Sequence, residues 1–270
     1  MPELPEVETT RRGLSPHVVG RRVADVLVRE RRLRWPVPDD LAGVLRGREI
    51  LEIGRRGKYL LFRFAGGALI VHLGMSGSLR LAAAGEAVRR HDHVDILLDQ
   101  GPLLRYHDPR RFGAMLWTPE PASHSLFAAL GPEPLGEEFS PDYLWTASRG
   151  RRTAVKPFLM NAAIVVGVGN IYASEALFLA GVHPARETAS LEREECMRLV
   201  AAIRQVLSQA IEMGGTTLRD FVNGHGQPGY FQQALHAYGR SGQSCMRCGT
   251  AIETLRLGQR ASYFCPVCQG

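Results

Sequence analysis

Four cysteines fall within the last 26 of the chain's 270 residues, as two CxxC pairs, Cys245/Cys248 and Cys265/Cys268, separated by sixteen positions. Each pair forms a tight knuckle, and two opposed knuckles complete a tetrahedral zinc shell of four thiolates. No ligand position is left open, so one structural Zn2+ is expected. The intervening AIETLRLG and RASYF read as short strands, and residues 236–270 are predicted to be a β-hairpin zinc finger. Such ribbons also occur as purely structural modules, so the finger alone names no function. The start, MPELPEVETT, lacks the layout of a signal peptide, and no apolar run reaches membrane-spanning length. A cytoplasmic protein is expected, in which clustered cysteines bind metal rather than form disulfides. Cys196 lies apart, within the helical pattern of Leu199, Val200, Ile203 and Val206, and reads as a small core residue.

Residues 5–13 read as a short helix with Pro5 in its first turn, Glu6 and Glu8 at the positive end, Arg11 and Arg12 at the negative end and Gly13 as the stop. Between about 22 and 118 come VADVLV, KYLLFRF, ALIVHLGM, HVDILL and GAMLWT, separated by Gly, Pro and Asp clusters. Many short strands at this spacing predict a β-sandwich or barrel. After LGPEPLG, helical spacing takes over at 142–149, 153–162, 170–180 and 190–213, the last with acids in its first turn and Gly214 and Gly215 at its end. The glycine-rich stretch 215–237 reads as a long loop, of the kind that is often functional. The chain is therefore α+β with two domains: 1–131 an N-terminal β-sandwich with flanking helices, and 132–235 helical, followed by the finger.

Lys and Arg number 33 against 27 Asp and Glu, a net charge of +6. That suits a polyanion partner without proving one. Basic residues cluster at Arg29–Arg34, Arg55–Lys58, Arg110–Arg111 and Arg149–Arg152, although solvated surface arginines explain most of them singly. The start carries more chemistry. Removal of Met1 leaves Pro2 as a secondary amine with a pKa of about 8, neutral in useful fraction at pH 7. Such an amine can attack a sugar C1′, expel the base and form an iminium, with Glu3 placed to act as an acid toward the ring oxygen or the leaving base. Standing alone, the two would read as a disordered terminus and a surface carboxylate.

They stand with PELPEVET, RRGKYLL, HLGMSGSLR, HDHVD, DPRRFG, LGPEPL, KPFLMN, VVGVGNIYASEALF, GGTTLRDF, GQPGYFQQ and YGR ahead of the four cysteines. In order and spacing this series resembles the bacterial formamidopyrimidine-DNA glycosylase family over essentially the whole chain. The resemblance implies a bifunctional DNA glycosylase and abasic-site lyase of base excision repair. It would excise oxidised purines, 8-oxoguanine and formamidopyrimidines, and then carry out β- and δ-elimination to leave a one-nucleoside gap. It implies a monomer acting on duplex DNA in a basic cleft between the domains, with a helix-two-turn-helix in the second, a lesion-recognition loop at 215–235 and no organic cofactor.

Position by position, the resemblance makes Pro2 the nucleophile, Glu3 the proton donor, Lys58 a further acid/base and Arg260 of the finger hairpin a phosphate contact with a part in the second elimination. It makes His72, His91, Arg152 and Asn170 DNA contacts. Met75 would fill the space left by the damaged nucleotide, with Arg110 facing the orphaned cytosine and Phe112 kinking the duplex, since a plug offsets part of the cost of unstacking. Read without the resemblance, Met75 and Phe112 would be core residues and Lys58 a surface lysine. His91 and His93 share one face of a strand, but no third ligand is evident for a metal. GVGNIY puts two glycines before a helix start, where backbone N–H groups and Asn170 can meet a phosphate. It is not a dinucleotide fingerprint, because Tyr172 takes the third glycine's place.

The sequence departs from the family pattern at Asn161 and Ala162 after KPFLM, and at His225 before Gly226. The first bears on local hydrogen bonding and the second on lesion preference. Two rivals stand beside the main reading: an endonuclease VIII-like glycosylase for oxidised pyrimidines, disfavoured by Leu4 and the full loop, and a non-enzymatic zinc-dependent DNA-binding protein, disfavoured by intact Pro2, Glu3 and Lys58.

Overall fold

The computed structural model describes residues 2–215 and 235–270. Most of the expected lesion-recognition loop, with His225, lies outside the described residues. The described chain divides into two compact units, 2–128 with 213–215, and 129–212 with 235–270.

The first unit opens with α1 (Leu4–Val18), followed by β1 (Val23–Val28), α2 (Leu41–Leu45), β2 (Glu52–Arg56), β3 (Tyr59–Phe64), β4 (Gly67–His72), β5 (Ser78–Ala82), β6 (Asp92–Leu98), β7 (Leu103–His107), β8 (Ala114–Thr118) and α3 (Ser125–Ala128). The strands form two antiparallel four-stranded sheets, ordered β1-β6-β7-β5 and β2-β3-β4-β8. Alternation explains why they pack: Leu60, Phe62 and Phe64 of β3 and Leu69 and Val71 of β4 share one core with Val94 and Ile96 of β6 and Leu104 and Tyr106 of β7. The expected sandwich is present, with α1 contributing Val7, Leu14 and Val18 to its core.

The stop expected at Gly13 is overturned, because α1 runs on to Val18. Gly13 does not take the left-handed conformation of a helix end. Leu14 and Val18 are completely buried. Burying each contributes about 1.5–3 kcal/mol, which outweighs the roughly 1 kcal/mol that a glycine costs inside a helix.

The second unit contains α4 (Pro141–Ser148), α5 (Val155–Leu159), α6 (Asn170–Ala180) and α7 (Arg193–Glu212), then the hairpin β9 (Glu253–Leu257) and β10 (Arg260–Phe264). Each helix expected after residue 140 is found. Ser140 caps α4 by accepting from Tyr143 N–H at 3.1 Å. Gly214 and Gly215, both at positive φ, follow α7 as expected. α5 is shorter than 153–162: Ala154 is drawn into a bridge with Glu187, and the Asn161 side chain turns back to accept from Ala163 N–H at 3.0 Å. Helix α6 is apolar and buried on nearly every side, as befits the centre of a helical unit, and Cys196 of α7 is fully buried. Among the described residues no helix is long and apolar enough to cross a membrane.

Candidate active site and zinc centre

Pro2 and Glu3 are buried at the head of α1, where Glu3 is the capping residue. Its N–H donates to the Glu6 carboxylate at 2.8 Å, which holds the segment against the first helical turn. One turn on, Glu8 accepts from Arg11, Arg12 and, at 3.2 Å, Arg55. Burial pushes the Glu8 carboxyl up, but the Arg11 and Arg12 hydrogen bonds outweigh it and hold the group at about 2. Arg55 also donates to Gly57 O at 2.9 Å. It thereby ties α1 to the two-residue turn Gly57-Lys58 between β2 and β3. The basic cluster at 55–58 thus begins with a structural tie and ends on the lysine that sequence reasoning singled out.

His72 ends β4, paired with Tyr59 in β3 and in ring contact with it at 4.9 Å. Burial, then the charges of Lys58 and Arg34, lower its pKa to about 4. The imidazole is therefore neutral at pH 7. Its Nδ1 accepts from Gly74 N–H at 3.0 Å, so the proton resides on Nε2, leaving that nitrogen a donor.

Phe112 is 46% exposed at the tip of the 108–113 loop, which removes the core-packing alternative for it. The Arg110 guanidinium lies 5.1 Å from its ring centroid, and Arg111 between them takes a positive φ of 57°. Met75 is half-buried. His91 needs a correction. It precedes β6 and has φ 76°, so it does not share a strand face with His93. The left-handed turn breaks the period-two alternation, and His93 is instead buried with Nε2 2.8 Å from Asp108 O. The His91 ring stays within 5.9 Å of His93 and 6.2 Å of His107.

In the second unit, Gly169 caps α6 and Asn170 is its first residue, as the GVGNIY reading expected. The Asn170 Oδ1 atom is buried and has no hydrogen-bond partner among the described residues. Arg152 is exposed. Arg260 is exposed at the first position of β10, just past the two-residue turn Gly258-Gln259, where Gly258 takes φ 58°.

The four cysteine sulfurs all lie within 4.8 Å of one another. Tetrahedral zinc with bonds of about 2.3 Å needs sulfurs about 3.8 Å apart. The Cys245–Cys268 and Cys248–Cys265 separations are 3.9 and 3.4 Å, and N–H groups of Arg247 and Cys268 donate to the Cys245 and Cys265 sulfurs. Hydrogen bonds from Thr250 hold the Cys248 thiol down at about 6, whereas Cys248, then burial, hold Cys268 up at about 12. A dication relieves that competition by favouring all four thiolates. The donor set fits zinc, and nothing in it is left for catalysis.

Two charged residues root the finger, and sequence reasoning passed over both. Lys156 in α5 is fully buried and donates from Nζ to Ala261 O and Ser262 Oγ, each at 2.9 Å, next to Arg260. Glu175, the lone charge in the apolar helix α6, accepts from the backbone N–H groups of His236, Ala237 and Tyr238. A single charge within an apolar helical run was the available signal.

A β-sandwich followed by a helix-two-turn-helix unit that carries a four-cysteine hairpin defines the class: a two-unit zinc-finger protein. Family models match in three consecutive stretches, the formamidopyrimidine-DNA glycosylase N-terminal domain at 1–115, the H2TH domain at 130–222 and a zinc finger found in FPG and IleRS at 242–270. The chain belongs to the formamidopyrimidine-DNA glycosylase family. It is 62% identical to the formamidopyrimidine-DNA glycosylase of Stutzerimonas stutzeri and 59% identical to that of Pseudomonas entomophila, in each case over the whole of both chains. The structure superimposes on a Lactococcus lactis FPG mutant bound to DNA containing Fapy-dG with a TM-score of 0.92 at 35% identity, covering 99% of each chain. It matches the Thermus thermophilus FPG protein with a TM-score of 0.87 at 41% identity, covering 100% of this chain and 99% of the other.

Proposed function

We propose that this protein is a bifunctional DNA glycosylase and abasic-site lyase of base excision repair that excises oxidised purines, 8-oxoguanine and formamidopyrimidines, from duplex DNA. The observation that carries the reading is the burial of Pro2 and Glu3 at the head of α1, with α1 tied through Glu8 and Arg55 to the turn bearing Lys58. In this reading the Pro2 nitrogen bonds to C1′ as the bond from C1′ to the base breaks, the proline N–H proton is lost, and the C1′–O4′ bond then opens to give the iminium, with Glu3 supplying a proton to the departing base or to the ring oxygen. The iminium then acidifies the C2′ proton. Lys58 moves protons during loss of the 3′ phosphate, and Arg260 assists loss of the 5′ phosphate. Hydrolysis of the iminium frees Pro2.

His72, as a neutral Nε2 donor, suits a phosphate oxygen, and Asn170 with the α6 N-terminus suits another. Arg152 and His91 add backbone contacts. Met75, Arg110 and Phe112 form the wedge that replaces the extruded nucleotide. We assign 1–131 to the catalytic domain, 132–235 to DNA binding with the recognition loop and 236–270 to the finger. The protein works as a monomer on bacterial chromosomal DNA in the cytoplasm.

Borohydride reduction with a duplex carrying 8-oxoguanine opposite cytosine should yield a covalent adduct, and Pro2→Glu, whose large side chain blocks removal of Met1 and so leaves no free amine at position 2, should abolish it while sparing most binding. An unchanged adduct yield refutes the role of Pro2, and no adduct with the native chain makes it a binder only. One Lactococcus lactis FPG complex holds DNA containing an oxidised pyrimidine. That favours keeping a second reading, and preference for thymine glycol over 8-oxoguanine would establish it instead.

A further inference from the structure

Two connections cross from one sheet of the sandwich to the other along the same rim. Residues 73–77 lead from β4 to β5, and residues 108–113 lead from β7 to β8. Their ends are paired, His72 opposite Ala114 in one sheet and Ser78 opposite His107 in the other. The crossovers therefore run side by side. A Cβ on Gly74 would lie 2.5 Å from Gly113 N, and a Cβ on Gly113 would lie 1.7 Å from the Tyr106 hydroxyl, so only glycines permit this approach. The first crossover carries Met75, and the second carries Arg110 and Phe112.

Tyr106 fills the seam. Its side chain is completely buried, and its hydroxyl lies 3.0 Å from His72 O and 3.3 Å from Asp108 Oδ2. A phenol has one proton, here shared between an acceptor at the root of each crossover. Asp108, also completely buried, uses the same Oδ2 to accept from Gly113 N–H at 2.8 Å, which closes residues 108–113 into a ring. Its carbonyl accepts from Arg111 N–H at 3.2 Å. Burial, then the Asp108 charge, push the Tyr106 pKa well above its ordinary value, so the hydroxyl remains a donor at any working pH.

We propose that Tyr106 and Asp108 are positioning residues that lock the two crossovers into one body, so that Met75, Arg110 and Phe112 enter the duplex as a unit. The proposal rests on the wedge reading given above. Two independent loops carrying these three side chains would each lose conformational freedom on insertion, whereas a joined pair of loops has lost it beforehand. The strut touches no reacting atom, so it acts on insertion and not on bond breaking.

The test is Tyr106→Phe, which removes the hydroxyl and keeps the ring. Insertion is followed by stopped-flow fluorescence of 2-aminopurine beside an 8-oxoguanine, and coupling by a double-mutant cycle of Met75→Ala with Phe112→Ala in single-turnover excision. In the native background the two truncations should be strongly non-additive, the second costing little after the first. In the Tyr106→Phe background their fold-losses should multiply, and unstacking should slow about fivefold, the scale of one lost hydrogen bond. Cleavage of an abasic site in single-stranded DNA, where there is no duplex to wedge, should keep its native rate. Asp108→Leu, which keeps the approximate side-chain shape but has no acceptor for the Tyr106 hydroxyl or the Gly113 N–H, should give the same loss of coupling, so the idea stays testable if Tyr106→Phe folds poorly. Unchanged coupling in either variant, or equal slowing on the single-stranded substrate, overturns the proposal. If Met75→Ala and Phe112→Ala are each without effect while the native chain excises normally, the wedge reading fails first and takes the strut with it.

Discussion

Glu175 offers the sharpest quantitative test. Its side chain, 1% exposed, receives the His236 N–H on Oε2 at 2.7 Å and the Ala237 and Tyr238 N–H groups on Oε1 at 2.9 and 2.8 Å. It anchors the backbone where the chain enters the finger. In Glu175→Gln the amide oxygen can serve Ala237 and Tyr238, but its NH2 group then faces the His236 N–H. Two charge-assisted bonds become neutral, at about 1 kcal/mol each, and one buried donor is stranded at about 1–3 kcal/mol. Relief of the buried charge offsets part of this, leaving a net loss of roughly 2–3 kcal/mol. At about 1.4 kcal/mol per tenfold change, local opening should become about 50-fold more frequent. Hydrogen–deuterium exchange of peptides covering 235–248 reads it directly: amides 236–238 should exchange about 50-fold faster while α7 keeps its native protection. Exchange within about threefold of native would refute the anchoring role.

Lys156→Met keeps the volume but leaves Ala261 O and Ser262 Oγ without their donor, at a cost of about 1–3 kcal/mol less the relieved desolvation. The melting temperature should fall, and an equal or higher one would show that the buried ammonium does not stabilise the root of the hairpin. Cys245→Ala should lower zinc affinity by orders of magnitude, read by metal analysis after dialysis against a chelator, and one retained zinc per chain would contradict the four-sulfur site. The pH dependence has two limbs. His72, held at about 4 in the fold, contributes stability that is complete above about 6.5 and lost as pH falls toward 4. Glu8, held at about 2, contributes stability present above its ordinary 4.5 and lost as pH falls toward 2. Melting temperature should therefore drop between pH 6.5 and 4, and His72→Asn should flatten that limb alone; a flat native profile from pH 7 to 4.5 would refute the account.

Local rules carried the reading where the deciding interactions are near in sequence. Two CxxC knuckles were sufficient for the ligand set because the geometry of each is built within four residues. Helix α4 was legible from its helical spacing, α7 from its terminal glycines and β3 and β4 from their runs of apolar residues between turn residues. The local rules failed where a distant surface decided. Gly13 would end an isolated helix, but the core that receives Leu14 and Val18 carries α1 past it. His91 fits a strand pattern, but a left-handed turn puts it outside β6.

From the sequence alone followed the class of fold, the zinc centre and, through the motif series, the family, since periodicity, capping and ligand spacing are properties of short segments. Tertiary structure alone decided which polar side chains are buried or half-buried and what they hold: Lys156 and Glu175 under the finger, Arg55 between α1 and the Lys58 turn, Tyr106 against His72 at the root of the other crossover. Each of these bonds joins residues whose partners become visible only when the chain closes on itself. A buried charge is tolerated only where such partners satisfy it, and that pairing is a property of three-dimensional packing.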